Sequence, residues 1–357
     1  MGDCADCFMN FLVDINHPAH VHLFRNLISH YSSEHHVVTV IRNKDVTTEL
    51  LDHHGIDYLE LSTPGHGLAG WTRELIERDR RVLQLYRELH FDLAVGCAPL
   101  VTHLSLFTGT PSLVFEEDDD AVVPIFSLLR NPFATGIISP NCMKYRGWER
   151  KRIFHNSYHE LAYLHPEQFT PDQEILTKYD LTPGEYVMLR FSALDAHHDV
   201  GAEGISPALL AEIRTLLDGY RQMESVEYAE HHRIDPGDMH HVLAYAKLVI
   251  SDSQTVTAEA AVLGVPSVRY NSFVGKISYL NELERRYHLT YGYRPGNERR
   301  FLGRIRWILQ TKDIHKRFDR RRAKLLSEKI NLHHWMIRYI DEQFRRRNPG
   351  RKRSYGA

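Results

Sequence analysis

Short runs of apolar residues recur along this chain, separated by longer segments whose apolar positions fall at helical spacing. Phe8–Ile15 reads as a strand, and residues 19–31 place Val21, Phe24, Leu27 and Ile28 on one helical face. Pro18 suits the first turn of that helix. A strand at 36–41, a helix at 45–54 ended by Gly55, and a strand at 59–61 follow. Thr63–Gly70 reads as a Gly-rich loop before a helix over 72–90. Then come a strand at 92–95, a helix at 99–108, and strands at 111–115 and 135–138. Nearly continuous apolar strands alternating with helices predict a parallel sheet covered on both faces. Ligands of such sheets sit at the carboxyl ends of the strands, so Asp14–His20, Gly65–Gly70, Ala98–His103 and Glu116–Asp120 should share one rim.

A second alternating series follows. Strands are expected at 186–191, 225–229, 247–251, 266–270 and 288–292, and helices at 206–218, 236–246, 255–263, 276–287 and 297–311. The span from Gly219 to Met239 is short for a full strand–helix–strand unit, so this sheet should lose a strand there. The pattern predicts two doubly wound parallel-sheet domains facing a cleft, over 1–163 and 185–311, with 164–184 as linker. Residues 312–346 read as a long C-terminal helical segment with room for a break, and 347–357 as a basic tail.

Composition narrows the class without naming the chemistry. With 357 residues, 43% apolar, 25% charged and net charge −2, the chain is long enough for two cores and gives no overall electrostatic pull toward nucleic acid. The tail Arg345–Arg353 reads as a solvated terminus, with peripheral contact to anionic lipid as its functional alternative. Cys4 and Cys7 form a lone pair without the partners of a zinc site, and the start lacks a signal-peptide pattern. A cytoplasmic protein is expected, peripheral to a membrane under the tail reading. The 24 histidines include several adjacent pairs but no helical metal-ligand spacing, so they read mostly as surface residues and no metal is expected.

The stretch Ser251–Pro266 carries the most chemistry. An apolar run, Lys247–Ile250, ends in a turn of small polar residues and opens a helix. The free N–H groups at such a start, from Ser253, Gln254 and Thr255, can hold a phosphate. Glu259, four residues after Thr255, could accept hydrogen bonds from a ribose. Ordinary capping with a dipole-compatible acid explains the same residues without a ligand.

These residues also carry a resemblance. SDSQTVTAEAAVLGVP is similar to the donor-binding motif of GT-B glycosyltransferases and of UDP-N-acetylglucosamine 2-epimerase, where the turn holds the diphosphate and the helix Glu the ribose. Val13–Phe24, Phe115 with its acidic run, Tyr158–Pro166 and Met239–Ala246 resemble the GT-B-like domain of unknown function 354 family, over roughly residues 8 to 340. His20-Val21 also resembles the Gly-Gly-His-Val turn of the peptidoglycan N-acetylglucosaminyltransferase, with Pro18 and Ala19 in place of the glycines. The domain of unknown function 354 family usually carries an Asp-Thr-Glu-type triplet where this chain has Glu116–Asp120, a run that reads as a solvated face or, through Glu116 and Glu117, as a sugar rim.

The resemblance implies a GT-B fold of two Rossmann-like domains and transfer of a sugar from a UDP-sugar substrate to a glycan or lipid-linked acceptor in cell-surface polysaccharide synthesis. No further cofactor is implied. His20, His17 or Asp14 would be the base, and Arg190 with the helix dipole would neutralise the departing diphosphate. Two alternatives stay open, a 2-epimerase-like enzyme and a non-catalytic nucleotide-sugar-binding protein.

Overall fold

Two parallel sheets organise the chain in the computed structural model, which describes residues 8–65, 67–191, 205–226 and 234–347. The described residues up to Asn141, with Tyr145–Tyr163 and those from Asn331 on, form one unit. Cys142–Lys144 and Leu164–Ile330 form the other.

In the first unit the chain runs β1 (Asn10–Ile15), α1 (Pro18–Ser32), β2 (His36–Arg42), α2 (Thr47–His53), β3 (Leu59–Ser62), α3 (Gly67–Leu89), β4 (Leu93–Gly96), α4 (Pro99–Thr108), β5 (Ser112–Phe115), α5 (Pro124–Arg130), β6 (Gly136–Pro140) and β7 (Arg152–His155). The strands lie in the order β3-β2-β1-β4-β5-β6-β7, every pair parallel. The crossover helices exist because apolar strands must be covered on both faces. α1, for example, buries Val21, Leu23, Phe24, Leu27 and Ile28, each worth about 1.5–3 kcal/mol of burial.

The second unit holds α6 (Ile175–Lys178), β8 (Tyr186–Phe191), α7 (Pro207–Leu216), β9 (Arg221–Val226), α8 (Met239–Ala244), β10 (Leu248–Ser251), α9 (Gln254–Leu263), β11 (Ser267–Tyr270), α10 (Ser278–Arg285), β12 (Thr290–Tyr293), α11 (Glu298–Gln310) and α12 (Ile314–Glu328). Its sheet has the order β12-β11-β10-β8-β9, again all parallel. The C-terminal helical segment breaks at residues 329–331, where Lys329 is extended and its Nζ is held by Glu282 Oε2 at 2.8 Å. The chain then returns to the first unit as α13 (Leu332–Arg347), with Tyr31 Oη donating to Asp341 Oδ1 at 2.9 Å.

The alternating pattern is the one the sequence predicts, with local departures. β7 and α5 are additions. β7 is an edge strand of only four residues beginning and ending in basic side chains, so it lacks the apolar run of its neighbours. The strand expected at 225–229 begins earlier, at Arg221. α3 begins inside the expected Gly-rich loop. There a Cβ on Gly65 would sit 2.4 Å from Gly70 O, so only a residue without one permits that approach. Residues 164–184 lie within the second unit, with Leu164, Leu176 and Leu181 buried. Among the described residues no helix is long and apolar enough to cross a membrane. The Cys4/Cys7 pair and the tail from 348 lie outside the described residues.

Candidate functional site

In the second unit, the turn after β10 is tied down from both sides. Ser251 is buried, and its Oγ donates to Arg190 O at the end of β8 at 2.8 Å while accepting Ser253 N–H at 2.9 Å. Asn271 Nδ2, just past β11, donates to Asp252 O at 2.6 Å. Ser253 then caps α9 from an extended backbone (φ −73, ψ 138), its Oγ accepting Val256 N–H at 3.4 Å. The N–H groups of Gln254 and Thr255 precede the hydrogen-bond ladder and have no acceptor inside the helix. The sequence-expected phosphate cradle therefore sits at the carboxyl edge of the sheet, where β10 meets α9. Its position is set by side-chain bonds to the ends of β8 and β11.

Arg190 belongs to the same edge, paired in register with Ser251 on β10 and with Ser225 on β9. Glu259 is placed differently from the ribose ligand expected of it. It is buried one turn further along α9, with Oε1 2.9 Å from His240 Nε2 of α8. The sequence marks His240 only within the Met239–Ala246 segment, because helical spacing says nothing about a partner on another helix.

The first unit brings Asp14, His17 and His20 together at the carboxyl end of β1. Asp14 is fully buried and its carboxylate is held from both sides, by Arg78 Nη2 at 2.6 Å and Asn16 Nδ2 at 2.7 Å. Burial pushes its pKa up, and the Arg78 charge pulls the other way. A carboxylate bound in this way orders its neighbours and is poorly placed to take a proton from a substrate. Arg78 joins it through Ser62 to Glu74, which in turn is gripped by Arg42 at 2.6 and 3.0 Å.

Both histidines use Nδ1 as an acceptor, His20 from Asn16 N–H at 3.3 Å and His17 from Ala19 N–H at 3.2 Å. A neutral imidazole with Nδ1 accepting carries its proton on Nε2. Burial holds the His20 pKa well below its ordinary range, helped by the charges of His17, His159, Arg130 and Lys44. At neutral pH His20 therefore presents an N–H donor. To act as a base it must first release Asn16.

The acidic run after β5 departs from a solvated face. Glu116, Asp119 and Asp120 are buried. Glu116 is paired with Arg130 and, through Oε2 at 2.6 Å, with Arg152, whose other arm reaches Asp120 Oδ2 at 2.7 Å. Glu116 is thus committed to a buried arginine cluster and unavailable as a rim. Glu117 accepts His159 N–H at 2.8 Å and lies 3.2 Å from His159 Nδ1. Burial, then the nearby Glu160 charge, raises the Glu117 carboxyl well above the usual range, and burial lowers His159 to about 3. Arg130, Arg152 and His159 carry no spacing signal in the sequence.

The histidines as a class are also more buried than expected, with His22, His35, His155, His240 and His333 all inside. Among the described residues no group of three or more His, Cys, Asp or Glu side chains is arranged to hold a metal ion.

No protein-family model matches the sequence, and no curated protein matches it. Solved structures do resemble it. A Staphylococcus aureus protein, MnaA, solved with UDP, superposes with a TM-score of 0.68 at 10% identity, covering 98% of this chain and 100% of the other. The UDP-N-acetylglucosamine 2-epimerase from Rickettsia bellii gives 0.63 at 16% identity, covering 94% and 98%. The spinosyn rhamnosyltransferase SpnG, solved with thymidine diphosphate, gives 0.62 at 12% identity, covering 93% and 100%. At these identities the likeness shows the fold, a GT-B-like pair of parallel α/β units.

Proposed function

We propose that this chain binds a UDP-sugar at the carboxyl edge of its second sheet and transfers the sugar to a hydroxyl of a glycan or lipid-linked acceptor in cell-surface polysaccharide synthesis. The observation that carries the reading is the start of α9, a helix N-terminus with free N–H groups at Gln254 and Thr255, fixed by Ser251 and Asn271. Aligned peptide dipoles and unpaired N–H groups favour an anion there. The structural neighbours solved with UDP and with thymidine diphosphate support a nucleoside diphosphate as that anion.

In this reading the acceptor oxygen forms its bond to the anomeric carbon as the bond from that carbon to the diphosphate breaks. The electron pair leaves on UDP, whose charge the α9 N–H groups and Arg190 offset. Glu259 takes the ribose only where a ribose hydroxyl shares or displaces the His240 bond. Within the first unit, His17 and His20 are hydrogen-bond donors in their resting tautomer, and His20 can take up a proton once its Nδ1 is released. Asp14 serves as the anchor that keeps Asn16, and through it His20, in place.

One observation favours the 2-epimerase-like alternative. The Glu117–His159 pair, 3.2 Å apart, sets a carboxyl beside an imidazole, groups of the kind that remove and return a proton. The likeness to 2-epimerases points the same way. Incubation with UDP-N-acetylglucosamine and no acceptor separates the readings, since a 2-epimer among the products would refute transfer as the primary activity. A thermal-shift screen of nucleotide-sugars is the first test, because a ligand of the native state raises apparent stability by mass action. A melting point unmoved by any UDP-sugar would remove the donor site altogether. A shift without turnover under either assay would leave a binding protein.

A further inference from the structure

Three neighbouring helices of the first unit turn large apolar side chains outward. Phe107 near the end of α4 is 64% exposed, Ile125 and Leu128 on α5 are 67% and 64% exposed, and Leu68 on the first turn of α3 is 80% exposed, with Phe126 and Phe133 beside them. The side chains are continuous across the helices. Trp71, one turn after Leu68, has its ring 6.4 Å from that of Phe126. His103, one turn before Phe107, bonds Leu129 O at 3.2 Å and lies 6.1 Å from the Phe133 ring. Exposed apolar patches of this kind mark contact surfaces.

The charges around the patch choose its partner. α4 contains no Asp, Glu, Lys or Arg, and the only charge within residues 121–133 is the buried Arg130. Basic residues flank it. Lys151 Nζ donates to Pro132 O at 2.6 Å, and Arg146 N–H bonds the Asp120 carboxylate that also receives Ser127 Oγ of α5. Arg150 and, on α3, Arg73 are exposed. Of the exposed acids close in sequence to these, Glu77 is paired with Arg81 at 2.6 Å, leaving Glu149. A two-fold contact between copies would set this basic border against itself. Anionic lipid heads would complement it while the side chains enter the acyl boundary.

We propose that the α3–α4–α5 face of the first unit docks onto an anionic lipid bilayer, with Phe107, Ile125, Phe126, Leu128 and Phe133 inserted and Arg146, Arg150 and Lys151 at the headgroups. This goes beyond the sugar-transfer reading and stands without it. It also differs from membrane contact through the C-terminal basic tail.

The test is co-sedimentation of the full chain with vesicles of equal parts phosphatidylcholine and phosphatidylglycerol, and with phosphatidylcholine alone. The full chain should bind the anionic vesicles and lose at least about tenfold in partitioning on neutral ones. Ile125→Gln with Leu128→Gln should lower anionic partitioning by about tenfold or more without lowering the melting temperature, and Arg146→Gln with Arg150→Gln should lower it severalfold. The proposal is overturned if the full chain ignores anionic vesicles or if the apolar variant binds them as well as the parent does, which would assign binding to the tail. It is equally overturned if light scattering finds a dimer that the same substitutions dissolve. UDP binding by calorimetry is read separately and should not change in either variant.

Discussion

The clearest consequence of the α9 start concerns a substitution that deletes one N–H group and little else. Gln254 is the first residue of α9, and its N–H stands outside the helical ladder. Proline suits that position, since its fixed φ near −65° is helical and its missing N–H has no acceptor inside the helix. The residue before a proline must be extended, and Ser253 already is, at φ −73 and ψ 138. The Ser253 Oγ to Val256 N–H cap at 3.4 Å is untouched. Gln254→Pro should therefore fold with a stability change of less than about 1 kcal/mol. A diphosphate, by contrast, would lose one charge-assisted hydrogen bond of about 1.5–3 kcal/mol, which is roughly a 10- to 150-fold weaker Kd. Calorimetric titration with UDP measures this, and Gln254→Ala, which keeps the N–H, is the control. Equal UDP affinity in the proline and alanine variants, both with parental melting curves, would refute the assignment of this helix start to the diphosphate.

Three further outcomes follow from the buried charges. Arg152→Met leaves the Glu116 and Asp120 carboxylates, both buried, without the guanidinium that bridges them, and urea unfolding should report a loss of about 3–5 kcal/mol. A loss under about 1 kcal/mol would mean the cluster is neutralised by other means. Asp14→Asn strips the charge partner from the buried Arg78 and should cost about 3 kcal/mol of folding stability, whereas a carboxylate acting only as a base would cost almost none. His333 is buried with its pKa lowered to about 4, by burial and then by His334 and His30. Its folded value lies below the ordinary 6.5, so the unfolded chain binds the extra proton. The stability involved is full above about pH 6.5 and is lost as the pH falls toward 4. Between pH 7 and pH 5 the parent should lose on the order of 2 kcal/mol more than His333→Phe in paired denaturant melts, and parallel losses would contradict the assignment.

The legible part of this protein is what depends on neighbours in sequence. Strand-length apolar runs and helical spacing place β1–β6 and most elements of the second unit, because covering a parallel strand on both faces requires near-continuous apolar residues. The α9 start is legible for the same reason. A Ser cap, a first-turn N–H set and the preceding apolar strand all lie within a few residues of one another. β7 escapes because an edge strand can be short and half-exposed, and α5 because seven residues with outward apolar side chains show no buried stripe.

Chemical roles divide along another line. Sequence alone marked the turn before α9 and the histidines after β1 as candidates. Tertiary structure alone decided which charged groups are available. Asp14 meets Arg78 across 64 residues, Glu116 meets Arg152 across 36, and Glu259 meets His240 across 19. In each pair an acid that reads as a candidate base, rim or ligand becomes part of a buried network. The physical reason is that a buried carboxylate must find a partner, and parallel topology supplies it from a distant element that no local periodicity can name.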